Sequence, residues 1–309
     1  MAAFTRRRFL TISAAASAAT IAAGPLRAAP LYQWRGVALG ADASITLAHP
    51  QAEAIIQRAL QEVTRLEHIF SLHDPQSALV RLNTDAVLEN PPFELLECLS
   101  LCRTVHTATG AMFDPTVQPL WALYAERHAA GRSPSGQSLA QTLTRTGWKR
   151  VSYDAAAIRL QPGMALSLNG VAQGFIADKV AGLLRSEGLR DILVNTGEFH
   201  AIGGHPQGGG WPVSLDDGRE IHRDALSLHN AALASSSPHG ITFDAAGQVS
   251  HILDPRSGLP APARWRLITV TAPSAGLADA LSTAFCLMER PQISATLARF
   301  PQAHLAHIG

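Results

Sequence analysis

The chain has 309 residues, with 25 Lys and Arg against 24 Asp and Glu, so its net charge is +1 when histidine is neutral. Hydrophobic residues make up 47% of the sequence and charged residues 16%, which supplies a packed core and excludes a disordered or coiled-coil protein. The balanced charge also argues against a nucleic-acid-binding protein, because such a protein clusters Lys and Arg.

An export signal is predicted for residues 1–29. Thr5, the arginines at positions 6–8, Phe9 and Leu10 precede an Ala-rich apolar run. This run is too short to span a bilayer, and its basic start resembles a twin-arginine signal. We therefore expect one mature domain over residues 30–309, located in the periplasm. The alternative is a basic membrane anchor that remains attached.

Hydrophobic periodicity predicts the elements of the mature domain in chain order. Strands are predicted at 42–47, 150–153, 158–160, 191–195, 211–215, 225–228, 248–253, 267–271 and 303–308, and helices at 51–72, 93–108, 174–187, 275–288 and 292–300. The polar stretch 127–138, rich in Gly, Ser and Pro, is predicted to be a long surface loop. Because strands and helices alternate without a regular βαβ repeat, the expected fold class is α+β, a single mixed-sheet domain with packed helices.

The three cysteines are expected to be buried thiols of the core. Cys98 and Cys102 are four residues apart on a predicted helix, and Cys286 is on another apolar helix. No Cys-x-x-Cys or Cys/His spacing accompanies them, so the sequence favours core packing over a disulfide or a metal site.

Residues 166–174, here called the glycine segment, have the sequence LSLNGVAQG. The pattern predicts a short apolar strand that leads through glycines into a helix. Glycine allows the backbone to approach a ligand closely, and a helix N-terminus offers free N–H groups to an anion such as a pyrophosphate. The same pattern is also found in an ordinary strand-to-helix turn, so by itself it leaves both interpretations open.

Asp279 and Thr283 form a second candidate pair. They are four residues apart on a predicted helix and therefore project from the same helical face. A carboxylate and a hydroxyl are oxygen ligands of the kind that Mg²⁺ takes when it is shared with a phosphate group. The alternative is that Asp279 only caps or decorates an otherwise apolar helix.

A third candidate is the sequence SHILDPRSG at residues 250–258. The pattern predicts a strand that ends in a turn, a position where scaffolds often hold reactive groups. His251 is suited to act as a general base near neutral pH. However, Asp254, Pro255 and Gly258 are also ordinary turn residues, and most histidines are structural.

Together, and in this order, the three segments resemble the FAD:protein FMN transferase family, also called the ApbE-like flavin transferases. The resemblance extends over most of the mature chain, from about Trp34 to Met288. It includes FSLHDPQSALVRLN at 70–83, TGAMFDPTVQPL at 109–120, NTGE at 195–198 and HILDP at 251–255.

Carried over to this sequence, the resemblance implies a site for Mg²⁺ and for FAD as substrate. The implied metal ligands are the side chains of Asp279 and Thr283 and the backbone carbonyl of Gly170, with a further contact from Ser282. The implied FAD-binding residues are Leu39, His73, Met112, Phe113, Asp114, Ser167, Gln173 and Ile252. His251 is the candidate that accepts the proton of the attacking hydroxyl.

The departures from the family pattern lie in the flavin site. His73 replaces an aromatic residue that usually stacks on the flavin ring, Ser167 replaces an acidic residue, and Gln173 replaces a lysine. Residues 39–41, Leu-Gly-Ala, replace Met-Gly-Thr. The metal pair and the His-x-x-Asp-Pro turn are intact.

The implied reaction is the covalent flavinylation of another protein. A threonine hydroxyl of a periplasmic or membrane redox protein attacks the FMN phosphorus of FAD, and AMP is released. The alternatives are hydrolysis of FAD to FMN and AMP by the same site, and a periplasmic flavin-binding protein without catalysis. No nucleic-acid partner is expected, and membrane contact is expected only through the acceptor or an uncleaved signal.

Overall fold

The computed structural model describes residues 30–309, apart from the side chains of residues 222–225. The predicted export signal, residues 1–29, lies outside this range. The helices of the described residues are α1 (Ala52–Phe70), α2 (Ala78–Asp85), α3 (Phe93–Ala108), α4 (Gln118–Ala129), α5 (Gly136–Leu143), α6 (Ala172–Ser186), α7 (Ala275–Phe285) and α8 (Arg290–Leu297). The strands are β1 (Leu31–Ala38), β2 (Ala41–Ala48), β3 (Val87–Glu89), β4 (Ser152–Tyr153), β5 (Ala157–Arg159), β6 (Ile192–Asn195), β7 (Phe199–Ile202), β8 (Trp211–Asp216), β9 (Ile221–Leu228), β10 (Ala232–Ser236), β11 (Ile268–Ala272) and β12 (His304–Ile308).

A seven-stranded sheet organises the fold, with the strand order β1-β2-β6-β7-β10-β11-β12. Each neighbouring pair in this sheet is antiparallel. A smaller sheet has the order β3-β5-β4, and β8 pairs with β9 as a separate hairpin. The predicted α+β class is confirmed.

The two faces of the large sheet are buried against different partners, because successive side chains of a strand point to opposite faces. Ile192 and Val194 of β6 belong to the main core, which also contains the apolar faces of α1, α3, α6 and α7. Leu193, between them, belongs to a second core together with Trp211 and Val213 of β8. Helices therefore cover one face, and the β8–β9 hairpin covers the other.

Several predicted boundaries are wrong. The loop predicted at 127–138 is shorter, since α4 continues to Ala129 and α5 begins at Gly136. The hydroxyl of Ser135 accepts a hydrogen bond from Ser138 N and so caps α5, a start signal that the Gly- and Pro-rich composition hid. Residues 248–253 do not form a continuous strand. They make only isolated bridges, Thr242 with Ser250 and Leu253 with Pro260.

The strand predicted within the glycine segment is also absent. Both backbone groups of Leu166 bond to the side chain of Asn83, which accepts from Leu166 N at 2.7 Å and donates to Leu166 O at 2.8 Å. This amide occupies the groups that a neighbouring strand would have used. It also ties the segment 70–83 to the glycine segment.

The prediction for the cysteines is confirmed: Cys98, Cys102 and Cys286 are free and buried. Over residues 30–309, we find no helix with the length and apolar character that crossing a membrane requires.

Candidate functional site

Helix α7 presents the predicted metal ligands from a buried position. Its residues are mostly Ala and Leu packed into the main core, and Asp279 lies among them with 4% of its surface exposed. Oδ2 of this carboxyl group is 3.4 Å from the backbone N of Gly174. The structure thus brings Asp279 of α7 next to the glycine segment.

Hydroxyl groups form a connected row beside Asp279. Ser282 Oγ donates to the backbone O of Asp279 at 3.0 Å and lies 2.7 Å from Ser236 Oγ, at the end of β10. Ser236 Oγ is also 3.3 Å from Thr283 Oγ1. In this row Ser236 donates to Ser282 and accepts from Thr283, which leaves the lone pairs of the Thr283 hydroxyl free for a cation.

The backbone of the glycine segment lies directly against α7. A Cβ atom on Gly170 would be 2.9 Å from Thr283 Oγ1, and a Cβ atom on Gly174 would overlap the carbonyl group of Ala275. Only a residue without a side chain allows either approach. The close packing places the backbone of Gly170 next to Thr283, as a shared ligand set requires.

Glu198 is a site residue to which the sequence reasoning gave no role. It lies directly before β7, is 7% exposed, and accepts a hydrogen bond from Ser235 N at 3.1 Å. Its position after a strand, within the NTGE sequence, was the available signal. Burial raises the pKa of Glu198 well above its ordinary value, and the nearby Asp279 raises it further.

The pKa of Asp279 is raised for the same main reason, burial of its carboxyl group. Burial raises its pKa from 3.8 to about 8, the hydrogen bond from Gly174 N opposes the shift, and the charge of Asp178 adds to it. No basic group contributes to the pKa shift of Asp279 or Glu198 among the described residues. Two buried carboxyl groups without a basic partner are suited to a bound cation, which would supply the missing positive charge.

The donor set fits Mg²⁺ better than a metal that prefers nitrogen or sulfur. In residues 30–309 no group of three or more His, Cys, Asp and Glu side chains is arranged to hold a metal ion. Mg²⁺ needs fewer protein ligands, since it is usually bound by one or two carboxylates together with phosphate oxygens and water. Asp279, Thr283 and a carbonyl group of the glycine segment meet that requirement.

His251 lies in residues 241–261, here called the His251 ladder. Its backbone N and its ring Nδ1 lie 3.2 and 2.8 Å from the backbone O of Ile241. A carbonyl oxygen only accepts, so Nδ1 carries the hydrogen and Nε2 of the neutral ring keeps a free lone pair. Burial lowers the pKa of His251, with the hydrogen bond to Ile241 opposing the shift. The ring therefore stays neutral, with Nε2 free to accept a hydrogen bond or a proton, down to a lower pH than an ordinary histidine ring does.

In the turn after His251, charged side chains bond to one another. Both carboxylate oxygens of Asp254 accept from the guanidinium group of Arg256, at 3.1 and 2.8 Å. The hydrogen bonds of His251 within the described residues do not reach Asp279 or Thr283. Residue Ile252, a predicted flavin contact, is buried in the main core, and its backbone O accepts from Ala261 N.

The predicted flavin residues occupy three places. Leu39 and His73 lie near the end of α1, where Leu39 N donates to Glu67 Oε1 at 2.6 Å and His73 is exposed. Phe70, at the end of α1, packs edge-on against Phe175 of α6 with 5.4 Å between the ring centroids. This contact places the end of α1 beside the glycine segment.

The loop at 109–117 makes a separate contact with the glycine segment. Met112 and Phe113 are buried, and Ser167 N donates to Pro115 O at 2.8 Å. The carboxylate of Asp114 accepts from Thr116 N, Thr116 Oγ1 and Trp148 N. Asp114 therefore stabilises the loop through these three hydrogen bonds.

Gln173 marks the third place, where the glycine segment meets the NTGE turn. Its backbone O accepts from Thr196 Oγ1 at 2.8 Å, and its side chain fills the space in which a Cβ atom of Gly197 would stand. The structure therefore assembles the glycine segment, α7, β7, β10 and the 109–117 loop around one region.

Known proteins resemble this chain in sequence and in fold. A model of the ApbE family matches residues 39–307. The chain is 27% identical over 260 residues to the FAD:protein FMN transferase of Haemophilus influenzae, covering 78% of this chain and 74% of that protein. It is 29% identical over 287 residues to the FAD:protein FMN transferase of Treponema pallidum, covering 82% and 76%.

Solved structures share the fold. The ApbE protein of Thermotoga maritima superposes with a TM-score of 0.78 at 26% identity, over 89% of this chain and 93% of that one. The apo flavinyl transferase ApbE of Pseudomonas stutzeri gives a TM-score of 0.78 at 24% identity, over 91% and 92%. The family match spans most of the sequence, including the glycine segment and α7, so the chain belongs to the ApbE family.

Proposed function

We propose that this protein is an FAD:protein FMN transferase that needs Mg²⁺ and transfers FMN to a threonine hydroxyl of an acceptor protein. The observation that carries the proposal is the packing of Thr283 against Gly170 and of Asp279 against the backbone N of Gly174, in a chain of the ApbE family. The relatives named FAD:protein FMN transferase support the reaction class.

In the proposed reaction the threonine oxygen forms a bond to the FMN phosphorus of FAD. The bond between this phosphorus and the oxygen that bridges to the AMP phosphate breaks, and AMP leaves with the electron pair. The threonine proton passes to Nε2 of His251, whose free lone pair and lowered pKa suit it to this role. The atoms of FAD and the threonine are all recovered in flavinylated protein and AMP.

Asp279, Thr283 and the carbonyl group of Gly170 are the proposed holders of Mg²⁺. When bound, the ion would withdraw charge from the pyrophosphate oxygens and fix the phosphorus for attack. Ser282 is fully buried and bonded to Ser236 and to the Asp279 backbone, so its proposed part is to orient the row of hydroxyls.

The flavin part of FAD is proposed to lie beside the glycine segment, between the end of α1 and the 109–117 loop. Leu39 and His73 approach from the end of α1, while Met112 and Phe113 approach from the 109–117 loop; Ser167, Gln173 and Ile252 complete the set. Asp114 supports this surface by holding the loop through its three hydrogen bonds.

The proposed place of work is the periplasm, with a redox protein of the periplasm or membrane as acceptor. The support is the sequence of residues 1–29, with its paired arginines and apolar run. Replacing Arg6 and Arg7 by lysine is expected to leave the protein in the cytoplasm on cell fractionation. Normal export of that variant would contradict the twin-arginine route.

The decisive experiment incubates residues 30–309 with FAD, Mg²⁺ and a purified redox domain that carries a candidate threonine. The expected result is an acceptor mass increase equal to FMN minus water, with one AMP released per label. Acceptor in which the threonine is replaced by alanine is the control. FMN and AMP without labelling would indicate hydrolysis, and bound FAD that stays intact would indicate a flavin-binding protein; either outcome overturns the transferase.

A further inference from the structure

Helix α7 is held at its start by a residue of another helix. The first free N–H groups of a helix need acceptors. Here Ala275 N and Gly276 N donate to Oδ1 and Oδ2 of Asp178, at 2.7 and 2.9 Å. Ser274 Oγ accepts the next one, from Leu277 N at 3.1 Å. Two of these three bonds therefore come from α6, the helix that continues the glycine segment.

His200 orients the carboxylate of Asp178. Its ring Nδ1 is 2.6 Å from Asp178 Oδ1, and its Nε2 is 3.3 Å from a guanidinium nitrogen of Arg185. Because the guanidinium group only donates, Nε2 accepts and Nδ1 carries the hydrogen that Asp178 receives. His200 is 5% exposed and lies on β7, two residues after Glu198. One carboxylate thus joins α6, α7 and β7.

Close backbone packing makes this junction sensitive to small displacements. A Cβ atom on Gly174 would overlap the Ala275 carbonyl, and one on Gly276 would lie 3.2 Å from Phe175 N. Asp178 lies one helical turn after Gly174 on α6. Asp279 lies one helical turn after Ala275 on α7. A shift of α7 relative to α6 would therefore change the spacing between Gly170 and Thr283.

We propose that Asp178, oriented by His200, is a positioning residue that sets the spacing between the glycine segment and the Asp279–Thr283 pair. The inference rests on the proposed function, since it assigns a consequence for Mg²⁺ binding. A residue that only stabilised α7 would not have this effect on the metal.

The test compares Asp178→Asn with Ser274→Ala, which removes a hydrogen bond from the same helix terminus without touching α6. In Asp178→Asn the amide nitrogen cannot accept, so one backbone N–H of α7 loses its partner and the charge is lost. The Mg²⁺ concentration for half-maximal transfer is expected to rise by about 10- to 100-fold in Asp178→Asn. Titration calorimetry with MgCl2 alone is expected to show the same loss of affinity, and Ser274→Ala is expected to match the parent in both.

A second pair of variants keeps the test decisive if Asp178→Asn does not fold. His200→Asn retains an N–H donor near the position of Nδ1, whereas His200→Leu removes it. The expected result is a raised Mg²⁺ requirement in His200→Leu and a requirement near that of the parent in His200→Asn, at temperatures equally far below the melting temperature of each.

The outcomes separate the inference from the proposed function. If the parent transfers FMN with Mg²⁺ and the Asp178 and His200 variants show an unchanged Mg²⁺ requirement, Asp178 is only a helix cap and the inference is overturned. An equal rise in Ser274→Ala would overturn it as well, because any loosening of α7 would then suffice. A parent that performs no transfer would overturn the proposed function itself, and this inference with it.

Discussion

Around Asp279, buried side chains of α7, β7 and β10 meet the backbone of the glycine segment, whereas around His251 the chain forms short bridges and turns. Among the residues that the structure describes, the first region has two buried acids to whose pKa shifts no basic group contributes, and helices in backbone contact. In the second region Asp254 and Arg256 pair with each other, and the His251 ring bonds to a local carbonyl group.

This difference indicates that the two regions have different roles within the site. The region of Asp279 is closely packed, so substitutions there that change side-chain volume are expected to affect folding and chemistry together. The His251 ladder is held by hydrogen bonds within residues 241–261. His73 is exposed after the end of α1, so it can differ from the family pattern without disturbing the fold. The following predictions test these roles, from the largest expected effect to the smallest.

Asp279→Asn is expected to abolish FMN transfer, by at least about 10³-fold, because it removes the charged ligand of the proposed metal site. The fold is expected to survive, since the amide has nearly the same volume. Transfer is measured at saturating Mg²⁺, with Thr283→Ala as the milder comparison because a neutral hydroxyl binds a cation less strongly. Full activity of Asp279→Asn would remove the metal assignment.

His251→Asn is expected to slow transfer by about 10² to 10⁴-fold and to leave FAD binding unchanged. The amide nitrogen of asparagine can still donate to Ile241 O, but no group remains to accept the threonine proton. In the parent, the rate is expected to fall only below the ordinary pH range of histidine, because the pKa of His251 is lowered and protonation begins at lower pH.

Single-turnover transfer against pH, FAD affinity and melting temperature are measured on this variant. A lowered melting temperature and weakened FAD binding, with the pH profile unchanged, would identify His251 as a structural residue. Of the two regions, only that of Asp279 would then take part in the proposed chemistry.

Gly174→Ala is expected to destabilise the protein by about 1–3 kcal/mol, because the added methyl group forces α6 away from the Ala275 carbonyl. Gly182→Ala on the same helix is the matched control. A Cβ atom on Gly182 meets nothing within 4 Å, so the change is expected to stabilise the protein by about 0.5–1 kcal/mol. Denaturant unfolding measures both, and equal effects would refute the close packing of α6 on α7.

The melting temperature of the Mg²⁺-free protein is expected to fall by a few degrees as the pH rises from about 6 to about 9. The folded protein holds a proton on Asp279, whose pKa is about 8 against an ordinary value of 3.8. Stability from this group is therefore fully present below its ordinary pKa of 3.8, decreases as the pH rises from there to about 8, and changes no further above about 8.

Calorimetry of the parent and of Asp279→Asn checks this expectation, since the variant is expected to show a flatter decrease. Adding Mg²⁺ at the higher pH is expected to raise the melting temperature of the parent and not that of the variant. A parent whose melting temperature does not change over this pH range would contradict the buried acid pair.

Periodicity was enough to predict the long amphipathic elements. In α1 the apolar side chains recur at helical spacing and are buried as predicted, and α3, α6 and α7 also lie within about three residues of their predicted bounds. Short or fully buried elements gave no such pattern. Strands β7 and β10 were missed because they are four and five residues long and buried on both faces of the sheet, so no alternation of polar and apolar residues marks them.

The spacing of Asp279 and Thr283 on one helical face followed from the sequence alone, because residues four apart on a helix are neighbours wherever that helix lies. The sequence patterns also marked the glycine segment and His251 as candidates, and the resemblance to flavin transferases implied their roles. What only the tertiary structure decided are contacts between residues far apart in the chain. Glu198 lies near Asp279, and Asp178 bonds to His200 and to the start of α7, because the sheet order and the backbone packing of α6 on α7 bring them together. Local sequence patterns carry no information about such distances, so these residues became part of the site only in the folded chain.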